Sequence, residues 1–554
     1  MTSSHPQGPK APSFVDAALA FATWTFAALA LQGAAQAQFP CNTPAAGVDL
    51  VVGRISGSAL WGTAGGQSAY SFGTTLCNVG SVAATYEAST PNHPLVGQNL
   101  YRIEDGRLEQ IGMGWMRHTW LPLQQSLCCT CNPAAGGMLG PGCSDTNSTA
   151  ADGIQGSLGP RSQVNGFTGS FPYPFQTAGQ TGDAVYKRLQ APTMDIDPGV
   201  HPGAVYVGET FTVDPTDAAA GNGQNGFSWQ PLTRNPFPTG AAYRLQTIGA
   251  TTPLQPAIHA WQALEPAVVL RDVQVPGEGL FVAASHAIPN GNGTWRYEYA
   301  VQNINSDLSG QRFSVDVGTA TVTDVGMSFP AYHSGEPYTN AAWAASTSGG
   351  SVAWECAGFA QNQNANALRF GTTYSFWFTA DEPPTAGDVT LGLFKPGGPG
   401  PQTVQLDVPS AGPVTAANYC TANPNSTFMV TGLWVSNVDL NARSMDLEVS
   451  SMPAGQFGFI ATSLTPDQVD MPGGSAGNLC IGGAIGRLVG GVVFQSDSSG
   501  AATVPVDLDT VPTPNGTTQV MAGETRYFQA WHRDLTFGGM ATSNFSRGLS
   551  LSFL

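Results

Sequence analysis

The chain of 554 residues carries a formal net charge of −17 at pH 7 and only 10% charged side chains, alongside 42% hydrophobic residues, 68 glycines and 41 prolines. The acidic balance argues against nucleic acid and anionic lipid as partners, and the apolar content excludes a disordered stalk. At roughly 100–200 residues per domain, the length fits about three or four domains.

Residues 1–37 read as a secretory signal peptide. A single Lys10 precedes the apolar run Ala17 to Leu31, and Ala35-Gln36-Ala37 supplies a small-residue cleavage site. The run is too short for a membrane span. Cleavage removes one Lys and one Asp, so the mature chain keeps its charge, and it is expected to be secreted, extracellular or at the cell surface. All nine cysteines lie beyond the cleavage site, at 41, 77, 128, 129, 131, 143, 356, 420 and 480. In an exported chain these predict disulfides, with one thiol left over or paired between chains.

The mature sequence predicts an all-β, multidomain fold of antiparallel β-sandwiches, because its apolar segments are short, β-branched or aromatic, and broken by Gly, Pro, Asn and Asp. Residues 38–265 form a Cys-rich region, irregular or β, dense in Gly and Pro. Pro256 to Leu264 is the one stretch with helical character. A β-sandwich is expected over 266–396. Its best strand is Trp295 to Val301, where Trp295, Tyr297, Tyr299 and Val301 share one face and Arg296 and Glu298 the other. Asn290-Gly291 marks a turn before it, and Thr373 to Phe378 and Val389 to Phe394 are further strands. The segment Lys395 to Pro413 opens with KPGGPGP and is expected to lack regular structure, giving a linker over 397–417. Residues 418–554 make a C-terminal β-sandwich module, with strands over Phe428 to Val435, Ser444 to Val449, Gln456 to Ile460 and Ser550 to Leu554. Ending on a strand argues against a C-terminal membrane anchor.

Within that module the runs NYCTANPNST (418–427), GNLCIGGAIGR (477–487), GETRYFQAWHRD (523–534) and TSNFSRGLSLSF (542–553) resemble a C-terminal module carried by many otherwise different secreted proteins of planctomycete-type bacteria. The resemblance implies an accessory task such as surface retention, export or glycan contact. Upstream, YRIEDGRLEQIGMGWMRHTW (101–120), GPGCSDTNST (140–149) and LGPRSQVN (158–165) are similar to a second family of exported proteins from such bacteria, which continues through TVDPTDAAAGNGQN (212–225) and WRYEYAVQNINSD (295–307). No activity comes with either resemblance. A Cys420 to Cys480 bridge is expected to close the C-terminal module.

Four constellations carry possible chemistry. Cys128, Cys129, Cys131 and Cys143, with His118 upstream and Asp145 beside the last, either pair as disulfides or supply soft ligands. In the second case His118, Cys131, Cys143 and Asp145 would hold zinc or copper. Disulfides are the preferred reading, with Cys41 and Cys77 as a further pair and the pairing of the clustered four open. Asp195, Asp197 and His201, in DIDPGVH, have the spacing of a divalent-cation loop or an acid–base pair, against the plainer reading of a turn. Asp214, Asp217, Asn222 and Asn225 offer oxygens threaded with glycine, as a calcium loop or a solvated Asx-turn loop. Trp531-His532-Arg533-Asp534 suggests a catalytic pair or, with Tyr527 and Phe528, an aromatic glycan platform. Strand alternation sends Trp531 and Arg533 to one face and His532 and Asp534 to the other, and core packing with an edge salt bridge is the preferred reading.

No phosphate loop of the G-x-x-x-x-G-K-[ST] type is present in the sequence, and Ser144 beside Asp145 lacks an assigned base for nucleophilic catalysis. The preferred function is therefore a noncatalytic binding or structural protein, with polysaccharide or a cell-envelope component as partner and calcium as the one candidate cofactor. The competing reading is an exported metal-dependent enzyme with zinc or copper in the N-terminal region.

Overall fold

A computed structural model describes residues 39, 41–118, 120–290, 292, 294–409, 414–427, 429–439, 442–489, 493–521, 523–536 and 540–553. The expected signal peptide and its cleavage site lie outside the described residues. Strands occupy about 50% of the chain and helices 6%, so the all-β multidomain expectation holds.

The N-terminal region is far more regular than its composition suggests. A 12-stranded sheet runs through it in the spatial order Leu50–Ala64, Gln67–Asn78, Leu189–Pro192, Arg107–Met113, Leu95–Glu104, Val205–Val213, Phe227–Thr239 and Ala242–Thr247, with short strands attached. The sheet curls until its first strand faces its last ones. Side chains close that seam: Ser228 Oγ donates to Val52 O at 2.5 Å, and the Thr251 hydroxyl accepts from Ile55 N at 2.9 Å. The interior holds Leu50, Val52, Tyr70, Phe72, Leu100, Tyr206 and Leu245. Alternation was hidden in the sequence because polar strand residues are buried too. Thr74 donates to Asp152 at 2.7 Å, and Asn78 Nδ2 donates to the carbonyls of Val82 and Leu139, which removes the cost of burying them. In NGFTGSFPYPFQ (165–176), Phe171 and Phe175 stack 5.5 Å apart and join the core between the first two bodies.

That core is built around the helix Ile258–Leu264, inside the stretch expected to be helical, with Trp261 fully buried and its Nε1 donating to Gly106 O at 3.2 Å. Beside it lies a buried polar network. The Glu209 carboxylate accepts from Ala257 N, Asn99 Nδ2 and Gln302 Nε2 at 2.6 to 2.7 Å. Arg161 donates to Gly371 O at 2.9 Å and to Asn99 Oδ1 at 2.8 Å. Burial raises the Glu209 pKa, and these donors oppose the shift. A fully bonded buried network fixes one docking geometry, since any slip strands a charge.

The second body is the expected sandwich. One five-stranded sheet has the order Val269–Gln274, Leu280–Pro289, Trp295–Asn303, Thr372–Ala380, Val322–Ser328. The other runs Ala344–Ser348, Ser351–Glu355, Gly310–Asp316, Pro384–Leu393, Gln402–Pro409. Tyr297, Tyr299 and Val301 face the sandwich core with Phe313, Trp354 and Phe376, as the alternation required. The opposite face of the same strand is also covered: Glu298 and Ala300 are buried against the N-terminal body. The expected linker needs correction. Gln402–Pro409 is an edge strand in register with Pro384–Leu393, so regular structure resumes directly after the KPGGPGP turn. Val414–Tyr419, whose first four residues were placed in the linker, is the first strand of the next body.

The C-terminal body is again a two-layer sandwich. A seven-stranded sheet (order Val414–Tyr419, Gly548–Phe553, Thr525–Leu535, Phe457–Ser463, Gly486–Leu488, with two flanking strands) covers a three-stranded sheet of Gly432–Asp439, Ser444–Ser450 and Ala502–Asp507. Leu433, Leu447, Ile460, Phe528, Leu549 and Leu551 fill the space between them.

Candidate functional site

The cysteines form four disulfides: Cys41–Cys129, Cys77–Cys128, Cys131–Cys143 and Cys420–Cys480, with Cys356 free. The Cys420–Cys480 bridge is as expected. The Cys41–Cys77 pairing is corrected: each of these takes one member of the adjacent pair Cys128-Cys129. Gly53 makes room for this knot, since a Cβ there would sit 2.3 Å from Cys77 Sγ and 2.7 Å from Cys128 Sγ. The zinc-or-copper set is corrected as well. Cys131 and Cys143 bond each other, and a disulfide sulfur is no thiolate ligand. Asp145 accepts from Leu123 N and Asn147 Nδ2 at 3.1 Å, while His118 hydrogen-bonds Thr90 O at 2.9 Å and stacks on His93 at 4.2 Å.

The four residues expected to bind calcium make hydrogen bonds within the chain. Asp214 caps the helix Pro215–Ala220, accepting from Thr216 N and Asp217 N at 2.7 and 3.0 Å. Asp217 accepts from Leu50 N, Asn222 donates to Ala46 O and Val48 O, and Asn225 donates to Asp49. Among the described residues no three His, Cys, Asp or Glu side chains are disposed to hold a metal.

Asp195 and His201 are brought together, but Asp197 turns away to Gly199 N and the Tyr243 hydroxyl. Arg102 is the hub: its Nη1 lies 2.9 Å from Asp195 Oδ1 and 2.8 Å from His201 Nε2, and Nη2 pairs with Glu109. His201 Nδ1 lies 2.5 Å from Glu104 Oε2. An arginine nitrogen only donates, so His201 Nε2 accepts and Nδ1 carries the proton. Both ring nitrogens are thereby engaged. The cluster opens on a cleft of about 380 Å³ shared with Gln110, Gln190, Phe329 and His333.

The C-terminal sheet presents the most distinct surface. His532 and Asp534 are buried, as alternation placed them opposite Trp531 and Arg533. His532 Nε2 meets the Thr431 hydroxyl at 2.9 Å, and Asp534 accepts from Ser426 N and Asn544 Nδ2. The expected core packing of Trp531 and edge salt bridge are corrected: Asp534 is held by neutral donors, and Trp531 is half-exposed on the outer face. There it pairs in register with Phe459, the rings stacked 5.0 Å apart at 26°. Tyr527 continues the row with Tyr419, 5.3 Å away, and Arg487 lies 5.9 Å from the Phe459 ring. Phe528, expected in the platform, faces the core. Phe459 was missed because its partnership with Trp531 crosses strands, although the alternation F-G-F-I at 457–460 marks an outward aromatic row.

No protein-family model and no curated protein matches the chain. Among solved structures, it is similar to the fimbrial adhesin FimA of Actinomyces (13% identity, 51% of this chain and 96% of that one, TM-score 0.14). It is also similar to a bacterial ice-binding adhesin (10% identity, 63% and 89%, TM-score 0.11) and to a tetra-tandem repeat from the extending region of a large adhesion protein (9% identity, 86% and 95%, TM-score 0.12). Such scores are too low to establish a shared fold. Among the described residues no helix is long and apolar enough to cross a membrane.

Proposed function

We propose that this chain is a secreted, noncatalytic polysaccharide-binding protein, exported by the leader at 1–37, and that it takes its ligand on the outer face of the C-terminal sheet. The observation that carries the reading is the partly exposed pair Phe459 and Trp531, extended by Tyr527 and Tyr419 across one face of the antiparallel sheet. Sugar rings present apolar C–H faces edged by hydroxyls. Aromatic rings that are apolar on the face and, for Trp and Tyr, polar at the rim match both. Arg487 and Arg533 beside the row supply hydrogen-bond donors to ring oxygens and hydroxyls. The resemblance of this module to one recurring on unrelated secreted bacterial proteins supports a shared, general ligand.

The test is binding of the mature chain to a polysaccharide array and to insoluble cell-wall fractions, with Trp531→Ala alongside. The variant should lose at least tenfold in affinity while its melting temperature stays within about 2 °C, because the ring is outside the core. Failure of the mature chain to bind any glycan refutes the proposal, and so does unchanged binding by the variant.

A further inference from the structure

Between the sandwich and the C-terminal body lies a cavity of about 700 Å³, in the range of natural small-ligand sites. Two arginines reach it from opposite bodies. Arg271, on Val269–Gln274, stacks its guanidinium 3.8 Å over the Trp434 ring and feels the carboxylates of Asp407 and Glu448. Arg547, which leads into Gly548–Phe553, has no such balance. It is 4% exposed, its Nε and Nη2 are buried without any acceptor, and burial lowers its pKa to about 10 with no carboxylate opposing. A buried guanidinium with unmet donors is among the costliest groups a protein can carry, and buried polar atoms in native proteins nearly always find partners.

Among apolar residues such as Leu270, Met429 and Leu433, the wall also carries groups that suit a polyol. Gln262, Asn418, Thr427, Ser450 and Ser498 line it with amides and hydroxyls, and His259 also borders it. The two acids that line the cavity are Asp272 and Glu448, and the second is tied to Ser436 Oγ and Thr503 Oγ1 at 2.9 and 2.8 Å. We infer that this cavity binds an acidic sugar unit, its carboxylate or sulfate group received by Arg547 and its hydroxyls by the amide and hydroxyl wall. The inference rests on the polysaccharide reading and adds the charge of the ligand and a second place where it is held.

The experiment is thermal unfolding of the full mature chain with glucuronate, glucose 6-sulfate, glucose and inorganic sulfate, for wild type, Arg547→Gln and Arg547→Lys. Without ligand, Arg547→Gln should melt at or above wild type, because it deletes an unpaired buried charge. Glucuronate or glucose 6-sulfate should raise the wild-type midpoint in a saturable way. Glucose should not, and Arg547→Gln should need at least tenfold more ligand, with Arg547→Lys between. The two acidic sugars separate a carboxylate from a sulfate ester, and inorganic sulfate acting as strongly as either refutes the sugar requirement. Equal shifts from neutral and acidic sugars, or a full response in Arg547→Gln, overturn this inference and leave polysaccharide binding standing. No shift from any sugar here, together with no binding on the glycan array, overturns both readings.

Discussion

Arg107 and Glu298, 191 positions apart in sequence, hold the first two bodies together: Arg107 donates through Nε and Nη2 to the two carboxylate oxygens at 2.6 and 2.9 Å. The Arg107 guanidinium also lies 3.5 Å over the Trp377 ring, on the neighbouring strand Thr372–Ala380. Glu298 is 1% exposed. Arg107→Ala therefore removes a bidentate ion pair and a cation–π contact and leaves a buried carboxylate with Arg296 as its remaining partner. The expected cost is about 2–4 kcal/mol, read as a lower urea midpoint in equilibrium unfolding. Glu298→Gln, which keeps one acceptor oxygen, should cost less.

Stability should fall as the medium becomes more alkaline across the neutral range. Burial, with Asp214 and Asp49 nearby, raises Asp217 from 3.8 to about 8. Between these values the folded state holds a proton that the unfolded state has released, so the contribution is fully present below pH 4 and lost as pH rises through 8. The slope from this group approaches about 1.4 kcal/mol per pH unit in that window. Melting temperatures from pH 4.5 to 8.5 should show the decline, and Asp217→Asn should flatten it. A variant as steep as wild type would remove Asp217 from the account.

Thiol titration offers a direct check on the covalent frame. With four disulfides and Cys356 free, one thiol per chain should react after unfolding without reductant. In the native protein at pH 8 it should stay silent, since burial pushes the Cys356 thiol up to about 12. Three or more free thiols would contradict the assigned bridges.

Replacing both Cys420 and Cys480 with alanine opens a link spanning 60 residues and should destabilise the C-terminal body by about 2–4 kcal/mol. Hydrogen exchange should quicken within 414–553 and remain unchanged within 269–355. Equal acceleration in both would mean that the bodies unfold as one.

Much of the architecture was legible because period-2 alternation survives wherever one face of a strand meets a core, as at Trp295–Asn303 and Thr372–Ala380. It was obscured where both faces are covered. Arg296 and Glu298 were placed on the face opposite Tyr297 and Tyr299, yet Glu298 is buried under the N-terminal body, which no local pattern reveals. The curled sheet of the first body carries Thr74, Asn78, Asn99 and Glu209 inside, so its strands resemble loops until their distant donors and acceptors are in place. Gln402–Pro409 was lost behind the Gly/Pro run before it, although QTVQLDVP alternates. At the candidate surface, alternation separated Trp531 and Arg533 from His532 and Asp534, but it did not show that the second pair is the one turned inward. Phe459 and Arg547 did not stand out in the sequence, since their significance arises from partners, or the lack of them, across the fold.

The neighbouring half-cystines Cys128 and Cys129 also bear on how the protein must be made. Exchanging their partners, to Cys41–Cys128 and Cys77–Cys129, gives a topological isomer of identical mass from a single-residue misstep. Rapid, uncatalysed oxidation is thus liable to trap a scrambled species that mass spectrometry of the intact chain cannot distinguish, and homogeneous material calls for a reshuffling catalyst or a glutathione redox buffer.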